Sequence, residues 1–242
     1  MQNSLERIFP DTLDENDTLG QGALRLHLQR YQFAAENLKP GLIADAACGA
    51  GYGSHFLASN DAGRIEKIMA IDIDEGAIAY AKKRYQHPLI NFLEQDILNF
   101  ESAVPIDTVI SLETIEHLAA PQQFVEKMAK QLTPGGRFIA SAPVTPSVDA
   151  NPFHFHDFTE DSFRNLFLHA GLTELNSLLQ VQAYQPFDLM VSKKGRSNDV
   201  RKSLFAYYMR HPRSLWRRLQ SIVRDGFTNK YLVVAFEKPG RI

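Results

Sequence analysis

The stretch LIADAACGAGYGS, residues 42–54, decides the fold of this chain. An apolar run that contains Asp45 leads into glycines at three alternate positions, Gly49, Gly51 and Gly53. Glycine has no Cβ atom and accepts backbone dihedrals that other residues resist, so such a turn lets a bulky ligand approach the main chain. A glycine turn that follows a predicted strand therefore indicates a ligand site at the carboxyl end of that strand.

Strand and helix patterns alternate on both sides of this turn, which predicts an α/β fold with a mostly parallel sheet covered by helices on both faces. Strands are predicted at 42–47, 66–72, 90–94, 106–112, 136–142, 173–184 and 231–238. Helices are predicted at 21–38, 53–59, 75–86, 121–132 and 159–170.

The composition is that of one globular domain with a modest appendage. The chain has 242 residues, of which 44% are apolar and 22% charged. No apolar run reaches the roughly 18 residues of a membrane span, and the polar, acidic N-terminus is not expected to be a signal peptide. The single cysteine, Cys48, argues against an internal disulfide and fits a reducing cytoplasm. We expect an irregular arm at 1–20, a main domain at 21–190 and 230–242, and a basic helical insert at 191–229.

Two further acids follow predicted strands and sharpen the ligand hypothesis. Asp72 ends the second strand, 23 residues after Gly49, where an acid can accept hydrogen bonds from ribose hydroxyls. Asp96 follows the third strand, near the expected adenine edge, and Ile73 and Ile97 could sandwich the ring. Each acid alone is better explained as a helix or turn cap, but two of them after a glycine turn favour a bound nucleoside.

The nucleoside is better explained as S-adenosylmethionine than as NAD or ATP. A dinucleotide site has the pattern G-x-G-x-x-G/A, whereas Ser54 stands three residues after Gly51. Asp45 would direct negative charge toward the turn, which disfavours a diphosphate and favours a sulfonium or amino group. No Walker A lysine accompanies the turn.

Taken together, IADAACGAGYG, DTVISLETIEHL (107–118) and LTPGGRFIASAP (132–143) resemble the class I S-adenosylmethionine-dependent methyltransferases. The resemblance covers about residues 20–184 and the closing strand, and it implies the Rossmann-like class I methyltransferase fold. It also implies that Asp72 and Asp96 are the ribose and adenine acids and that Glu113 lies near the methionine moiety. The predicted cofactor-binding residues are Arg30, Tyr31, Asp45, Ala47, Gly49, Gly51, Tyr52, Asp72, Ile73, Asp96, Ile97 and Glu113.

A narrower resemblance involves LHLQRYQFAAENL (26–38) and NPFHFHDF (151–158). These stretches are similar to methyltransferases of bacterial surface-polysaccharide biosynthesis, including O-antigen chain-capping enzymes, which implies a glycan or glycan-phosphate acceptor. The chain departs from that pattern at Ala47 and at Ala50, where glutamate is frequent. Arg30 and Tyr31 could close over the cofactor carboxylate or belong to a plain surface helix.

Three histidines are candidate general bases for a hydroxyl acceptor: His117, His154 and His156. In a helix, Glu113 would share a face with His117 and orient it. His117 could equally serve as a cap or pack beneath the sheet. In an extended segment, His154 and His156 would point the same way. An acceptor that is already anionic would need no base, and the histidines would then bind its charge. Beyond Asp157 no further metal ligand stands out, so no metal site is predicted.

The C-terminal part of the chain carries a strong charge asymmetry. Residues 191–224 contain ten Lys or Arg and one acid, Asp199, which leaves 16 basic and 27 acidic residues in the rest of the chain. Pro212 should divide this insert into two helices, the second amphipathic. The insert could be a lid on the domain, contact an anionic membrane, or bind an anionic polymer or partner protein. Nucleic acid is not expected, because the acidic remainder would repel phosphates.

We therefore expect methyl transfer to a glycan or glycan-phosphate acceptor in the cytoplasm, with peripheral contact to the inner membrane as an option. Two alternatives stay open. One is O- or N-methylation of a small metabolite, and the other is a non-catalytic cofactor-binding module that serves as an assembly partner.

Overall fold

The computed structural model of this chain describes residues 7–14, 17–183 and 203–240. Their seven strands form one sheet. The strands are β1 (Gly41–Ala46), β2 (Ile65–Asp72), β3 (Ile90–Glu94), β4 (Ile106–Leu112), β5 (Leu132–Pro143), β6 (Thr173–Ala183) and β7 (Thr228–Glu237). The helices are α1 (Thr18–Asn37), α2 (Tyr52–Asn60), α3 (Glu75–Arg84), α4 (Pro121–Gln131), α5 (Glu160–His169), α6 (Leu204–Arg210) and α7 (Pro212–Asp225).

The strand order is β3-β2-β1-β4-β5-β7-β6. All pairs from β3 to β5 are parallel, and β7 runs antiparallel to both β5 and β6. The chain proceeds outward from β1 to β3 and then returns to the other side of β1 as β4, so the strand order reverses beside β1. Ligands of such sheets bind beyond the carboxyl ends of the strands at this point. The predicted α/β fold with a mostly parallel seven-stranded sheet is confirmed.

The core lies on both faces of the sheet, because successive residues of a strand point to opposite sides. Ile43 packs with residues of α1, α2 and α3, whereas Ala44 packs with Phe124 and Met128 of α4 and Phe163 of α5. The helices therefore cover both faces, as predicted, and leave the carboxyl edge of the strands for a site.

The first helix starts three residues before the predicted position. Asp17 is its N-cap, and the carboxylate of Asp17 accepts a hydrogen bond from the Gly20 amide at 2.9 Å. Such a cap satisfies one of the amides that the first helical turn leaves unpaired. The helix ends before Lys39-Pro40, as the sequence predicts.

The described part of the N-terminal arm packs on α3. Asp11, in a 3-10 turn at Pro10–Thr12, accepts hydrogen bonds from Tyr80 and Arg84 at 3.0 and 2.5 Å. The ring of Phe9 meets the edge of Tyr80 at a centroid distance of 5.0 Å. These contacts hold the arm on α3, and Arg7 of the same arm reaches Asp72 at the end of β2.

The described part of the insert consists of two helices, α6 and α7, with Pro212 at the start of the second. Proline is favoured in the first helical turn and breaks the preceding helix, which gives the division that the sequence predicts. Residues 184–202 lie outside the described residues, so the proposed division of the chain into arm, domain and insert stays a prediction. None of the described helices combines the length and apolar character needed to cross a bilayer.

Candidate active site

The glycine turn after β1 uses its glycines for different reasons. A Cβ atom at Gly53 would lie 1.9 Å from the Tyr31 ring, and one at Gly51 would lie 2.7 Å from Ala81 and from Phe92. Gly51 also has a φ of +83°, in the left-handed region. At Gly49, by contrast, a Cβ atom would have no neighbour within 4 Å. Gly51 and Gly53 therefore permit tight packing, and Gly49 exposes its backbone to open space.

That open space belongs to a cavity of about 780 Å³ at the carboxyl edge of the strands. Its volume is in the range of small-molecule sites. Of the fifteen predicted site residues, Asp45, Gly51 and His156 do not line the cavity. The twelve that do are Arg30, Tyr31, Ala47, Gly49, Tyr52, Asp72, Ile73, Asp96, Ile97, Glu113, His117 and His154.

Asp72 links the glycine turn to the end of β2. Its carboxylate accepts hydrogen bonds from the Gly49 amide at 2.8 Å and the Asp74 amide at 2.9 Å. Arg7 of the N-terminal arm contacts the same carboxylate at 3.3 Å. A carboxylate has about four lone-pair sites, so Asp72 can still accept a ligand hydroxyl.

Asp96 lines the cavity and also caps a turn. Its two carboxylate oxygens accept hydrogen bonds from the Leu98 amide at 2.9 Å and the Asn99 side chain at 3.1 Å. Ile73 is exposed in the cavity wall and Ile97 is buried. The turn-cap interpretation of Asp96 is thus present in the structure, and its contact with an adenine stays a prediction.

Asp45 is buried beneath the glycine turn. Its carboxylate accepts hydrogen bonds from the hydroxyls of Ser54 at 2.5 Å and Tyr31 at 3.1 Å. Burial raises the pKa of Asp45 to about 6, although the hydrogen bonds from Ser54 and Tyr31 oppose that shift. In this position Asp45 holds α1 and α2 against β1, and its side chain does not reach the cavity surface.

Arg30 is almost completely buried, with 2% of its surface exposed. Its Nε donates to the side-chain oxygen of Gln180 at 2.9 Å, its guanidinium lies 4.7 Å from the centre of the Tyr231 ring, and its Nη2 is 3.6 Å from Glu113. Its Nη1 has no hydrogen-bond partner among the described residues. Arg30 and Tyr31 are therefore interior residues, and the surface-helix interpretation is wrong. An unpaired, buried guanidinium nitrogen in a cavity wall favours an anionic ligand group.

Glu113 has left-handed backbone geometry, with a φ of +52°. Its amide and its carboxylate both bond to Ser141 on β5, at 3.1 and 2.7 Å. Only Ile115–His117 then form a 3-10 turn. The expectation that Glu113 and His117 share one face of an α-helix is wrong, because the backbone turns at Glu113. Such backbone strain is concentrated at functional sites.

His117 instead meets His154, from the loop after β5. Their rings are in edge contact at a centroid distance of 4.6 Å. Glu116 joins them: one ligand atom from each of Glu116, His117 and His154 lies within 4.8 Å of the other two. The hypothesis that His117 packs beneath the sheet is therefore wrong, since the ring lies in the cavity wall.

His156 lies apart from this group. Its Nε2 bonds to the Leu118 carbonyl at 2.9 Å, and its ring stacks on Phe158. The two histidines of the HFH stretch therefore do not face one site, because only His154 lines the cavity.

The insert also contributes to the cavity wall. Arg218 of α7 forms a two-point contact with the buried carboxylate of Asp149, with Nε to Oδ2 at 2.8 Å, and Tyr208 of α6 donates to the same carboxylate. Burial alone would raise the pKa of Asp149, but Arg218 and Tyr208 outweigh it and hold that pKa below its usual value. The three side chains line the cavity and fasten the insert to the loop after β5.

Comparison with known proteins identifies the family. The family described as "Methyltransferase domain" matches residues 41–185, more than half of the chain. The chain belongs to this methyltransferase family.

Relatives agree with that assignment. A Mycobacterium tuberculosis protein named "Probable S-adenosylmethionine-dependent methyltransferase" is 29% identical over 179 residues, which cover 70% of this chain and 61% of the relative. The malonyl-[acyl-carrier protein] O-methyltransferase of Anoxybacillus flavithermus is 35% identical over 102 residues, 42% of this chain and 39% of the relative. The chain thus spans about three fifths of the first relative's length and about two fifths of the second's. Both names agree with the predicted class of enzyme, and the first also names the predicted cofactor.

The solved structures show the same fold. A protein from Bacillus halodurans described as a methyltransferase superposes with a TM-score of 0.67 at 15% identity, covering 88% of this chain and 98% of that one. The O-antigen resemblance predicted from the sequence has no counterpart among these relatives.

Several residues of the candidate site could not be found from the sequence. Tyr231 and Gln180 reach Arg30 from β7 and β6, about 150 or more residues along the chain from α1, and no local motif marks them. Asp149 and Arg218, which form an ion pair, are 69 positions apart in the sequence. Glu116 stands inside the quoted LETIEHL stretch, and its spacing from His117 carries no signal without knowledge of the 3-10 turn.

Proposed function

We propose that this methyltransferase moves a methyl group from S-adenosylmethionine to a hydroxyl or phosphate oxygen of a glycan or glycan-phosphate acceptor used in surface-polysaccharide assembly. The observation that carries the proposal is the group of Glu116, His117 and His154, which lies in the same cavity as the glycine turn. Proton-accepting side chains there suit an oxygen acceptor.

The residues present fit the cofactor. Gly49 leaves room for the nucleoside, and Asp72 can accept from ribose hydroxyls. Arg30 would pair its buried Nη1 with the methionine carboxylate. When bound, S-adenosylmethionine supplies an electrophilic methyl group, so that a carbon–oxygen bond forms as the carbon–sulfur bond breaks and S-adenosylhomocysteine remains.

The chain's own part in the reaction is to align the acceptor and to remove its proton. Nδ1 of His117 bonds to the Phe153 carbonyl at 3.1 Å, and Nδ1 of His154 bonds to the Ser147 hydroxyl at 2.8 Å. These bonds fix the orientation of both rings. A hydroxyl acceptor would give its proton to this group as the methyl is transferred, whereas a phosphate acceptor would be bound by it without proton transfer.

A sugar acceptor is supported by the surroundings of His154. Phe153 and Phe155 flank it along the chain and are both exposed. Exposed aromatic rings beside a cavity offer flat apolar surfaces of the kind that pack on sugar rings. The resemblance of residues 26–38 and 151–158 to polysaccharide enzymes points the same way, and the relative named as an O-methyltransferase supports an oxygen acceptor.

We further propose that the insert is a lid on its inner side and contacts an anionic lipid surface on its outer side, as a lipid-linked acceptor would require. Tyr208 and Arg218 support the first role. For the second, large apolar side chains stand exposed next to arginines, as on helices that lie in a membrane interface. These residues are Phe205, Met209, Trp216 and Val223, with Arg217 and Arg224.

The test is transfer of radiolabelled methyl from S-adenosylmethionine into fractionated cell extracts. The proposal predicts label in the lipid-linked glycan fraction, loss of at least about 100-fold in rate for His154→Ala, and no loss for His169→Ala on the exposed end of α5. Cofactor affinity should be unchanged in both variants. Label in small soluble compounds would favour the metabolite alternative, and cofactor binding without any label would favour the non-catalytic module.

A further inference from the structure

We infer that Glu116, His117 and His154 form a binding site for a divalent cation that holds the acceptor. The inference rests on the proposed oxygen acceptor and specifies how that oxygen is activated. It revises the expectation of no metal, which depended on Asp157 as the next available ligand. Asp157 instead accepts hydrogen bonds from the Ser147 and Val148 amides at 2.8 and 3.0 Å.

The donor set is that of a transition-metal site with open positions. Two imidazoles and one carboxylate bind zinc, manganese, cobalt and iron, and such sites leave coordination positions for water or substrate. Here one donor atom from each residue lies within 4.8 Å of the others. Donors around a bound ion lie about 3 Å apart, so the three groups must draw together when they bind an ion.

The bonds around the two histidines are those expected of metal ligands. A ligating histidine nearly always uses its second ring nitrogen to bond a carbonyl or another oxygen, which sets its tautomer and orientation. Nδ1 of His117 lies 3.1 Å from the Phe153 carbonyl oxygen and Nδ1 of His154 lies 2.8 Å from the Ser147 hydroxyl. In both rings the proposal therefore places the proton on Nδ1 and the cation on Nε2.

The third ligand is tied to the same framework. Glu116 is buried, and its main-chain carbonyl accepts the Phe155 amide at 2.9 Å. Together with the bond between His156 and the Leu118 carbonyl, this bond joins the turn after β4 to the loop after β5 on both sides of His117.

The cation defines the chemical class of the acceptor. An ion with three protein ligands can bind two neighbouring oxygens, as in a vicinal diol or a hydroxyl next to a phosphate. Coordination lowers the pKa of a bound hydroxyl. With the histidines on the cation, the proton leaves to solvent water and not to their rings. The oxygen forms the new bond to carbon while the carbon–sulfur electron pair stays on sulfur.

The experiment is a titration of the full chain with Co²⁺, followed by visible absorption, after removal of metals with a chelator. The wild type should bind one equivalent with a spectrum that indicates nitrogen ligands. Glu116→Gln and His154→Ala should each weaken binding at least about 10-fold, and His169→Ala should bind normally. Ser147→Ala, which removes only the partner of His154, should weaken binding by about 10-fold or more, as loss of an outer partner does.

Two results would overturn the inference. One is no stoichiometric Co²⁺ binding by the wild type, and the other is equal binding by the wild type, Glu116→Gln and His154→Ala. Because the titration needs no turnover, it separates the two proposals. Metal binding without methyl transfer to any acceptor would reject the proposed function alone. Full methyl transfer in the presence of chelator, with no bound Co²⁺, would reject the cation alone and leave the histidines as metal-free bases.

Discussion

At the scale of single residues, the glycine turn shows which conclusions follow from a sequence pattern and which require the structure. The sequence predicts a close approach at three glycines, but only the structure distinguishes them. Gly49 faces open space, whereas Gly53 is required by the Tyr31 ring, which belongs to α1. The reason for Gly53 therefore lies more than twenty positions away along the chain, and no local pattern can carry it.

We predict that Gly53→Ala destabilises the protein. The new methyl group would lie 1.9 Å from the Tyr31 ring, so the ring must move and lose its hydrogen bond to Asp45. Overpacking of this kind costs about 1–3 kcal/mol in the free energy of unfolding, measured by urea denaturation. Gly63→Ala is the control, since nothing lies within 4 Å of a Cβ there. Equal stability of both variants would contradict this account of the turn.

A second residue-scale prediction concerns the pH dependence of stability. Burial raises the pKa of Asp45 from its usual 3.8 to about 6 in the native state, so between these pH values the native state holds a proton that the unfolded chain has lost. Stability contributed by Asp45 is then complete below about pH 4 and is lost as pH rises through 6. The loss amounts to about 3 kcal/mol.

Comparison of the wild type with Asp45→Asn isolates this effect. The difference in free energy of unfolding between the two proteins should shift by about 2–3 kcal/mol toward the variant from pH 4 to pH 7. Asp161→Asn, on the exposed first turn of α5, controls for loss of a carboxylate. Parallel stability curves for wild type and Asp45→Asn would show that Asp45 ionises in the native state as it does in the unfolded chain.

At the scale of elements, the periodicity of the sequence predicts which segments form strands more accurately than it predicts where those strands end. The strand at 90–94 and the strand at 106–112 have the predicted bounds. β5 begins at Leu132, four residues before its predicted start. Pro134 and Gly135 look like turn residues, yet the Gly135 amide bonds to the Lys238 carbonyl at 2.9 Å. A contact with the far end of the chain thus overrides the local turn signal.

The helices of the insert illustrate the same limit. Pro212 and the amphipathic pattern predict both helices, but no pattern marks which arginine of RR at 217–218 is buried. Arg218 is 14% exposed and bonds to Asp149, whereas Arg217 is 63% exposed and lies 3.9 Å from Asp157. Neighbouring residues on a helix face different directions, so tertiary packing alone decides their roles.

We predict that Arg218→Ala loosens the insert and that Arg217→Ala does not. Removing one partner of a buried ion pair leaves the other charge uncompensated, at a cost of about 3–5 kcal/mol. Asp149 keeps Tyr208 as a donor, so we expect a cost near 3 kcal/mol. Amide hydrogen exchange in α6 and α7 should then accelerate by about 100-fold relative to the wild type. Equal acceleration in both variants would mean that the Arg218–Asp149 contact does not fasten the insert.

At the scale of the whole molecule, charge is divided between the insert and the remainder of the chain. The sequence predicted this division from composition, and it left three uses of the insert open. The structure shows how the insert is oriented. Tyr208 and Arg218 line the cavity, while Phe205 and Val223 are 79% and 88% exposed to solvent. A face that combines exposed apolar groups with arginines would be expected to meet an anionic, partly apolar surface.

We therefore predict that the protein partitions onto vesicles that contain anionic lipid and not onto purely zwitterionic ones. Binding should fall as salt rises, because the arginine contribution is screened over about 10 Å at 0.1 M. Replacing Trp216 and Val223 together by glutamate removes apolar area and adds negative charge, so co-sedimentation should drop at least about 10-fold. Val104→Glu provides the matched control, since Val104 is 57% exposed but lies between β3 and β4, far from the insert in sequence.

Each outcome of that measurement indicates what the outer face of the insert contacts. Loss of binding in the Trp216/Val223 variant, with wild-type binding in Val104→Glu, would connect the cavity and its lid to a lipid-linked acceptor. Equal loss in both would indicate nonspecific repulsion by added charge. Equal binding by all three proteins would leave α7 as a lid alone, and the acceptor would then have to reach the cavity from solution.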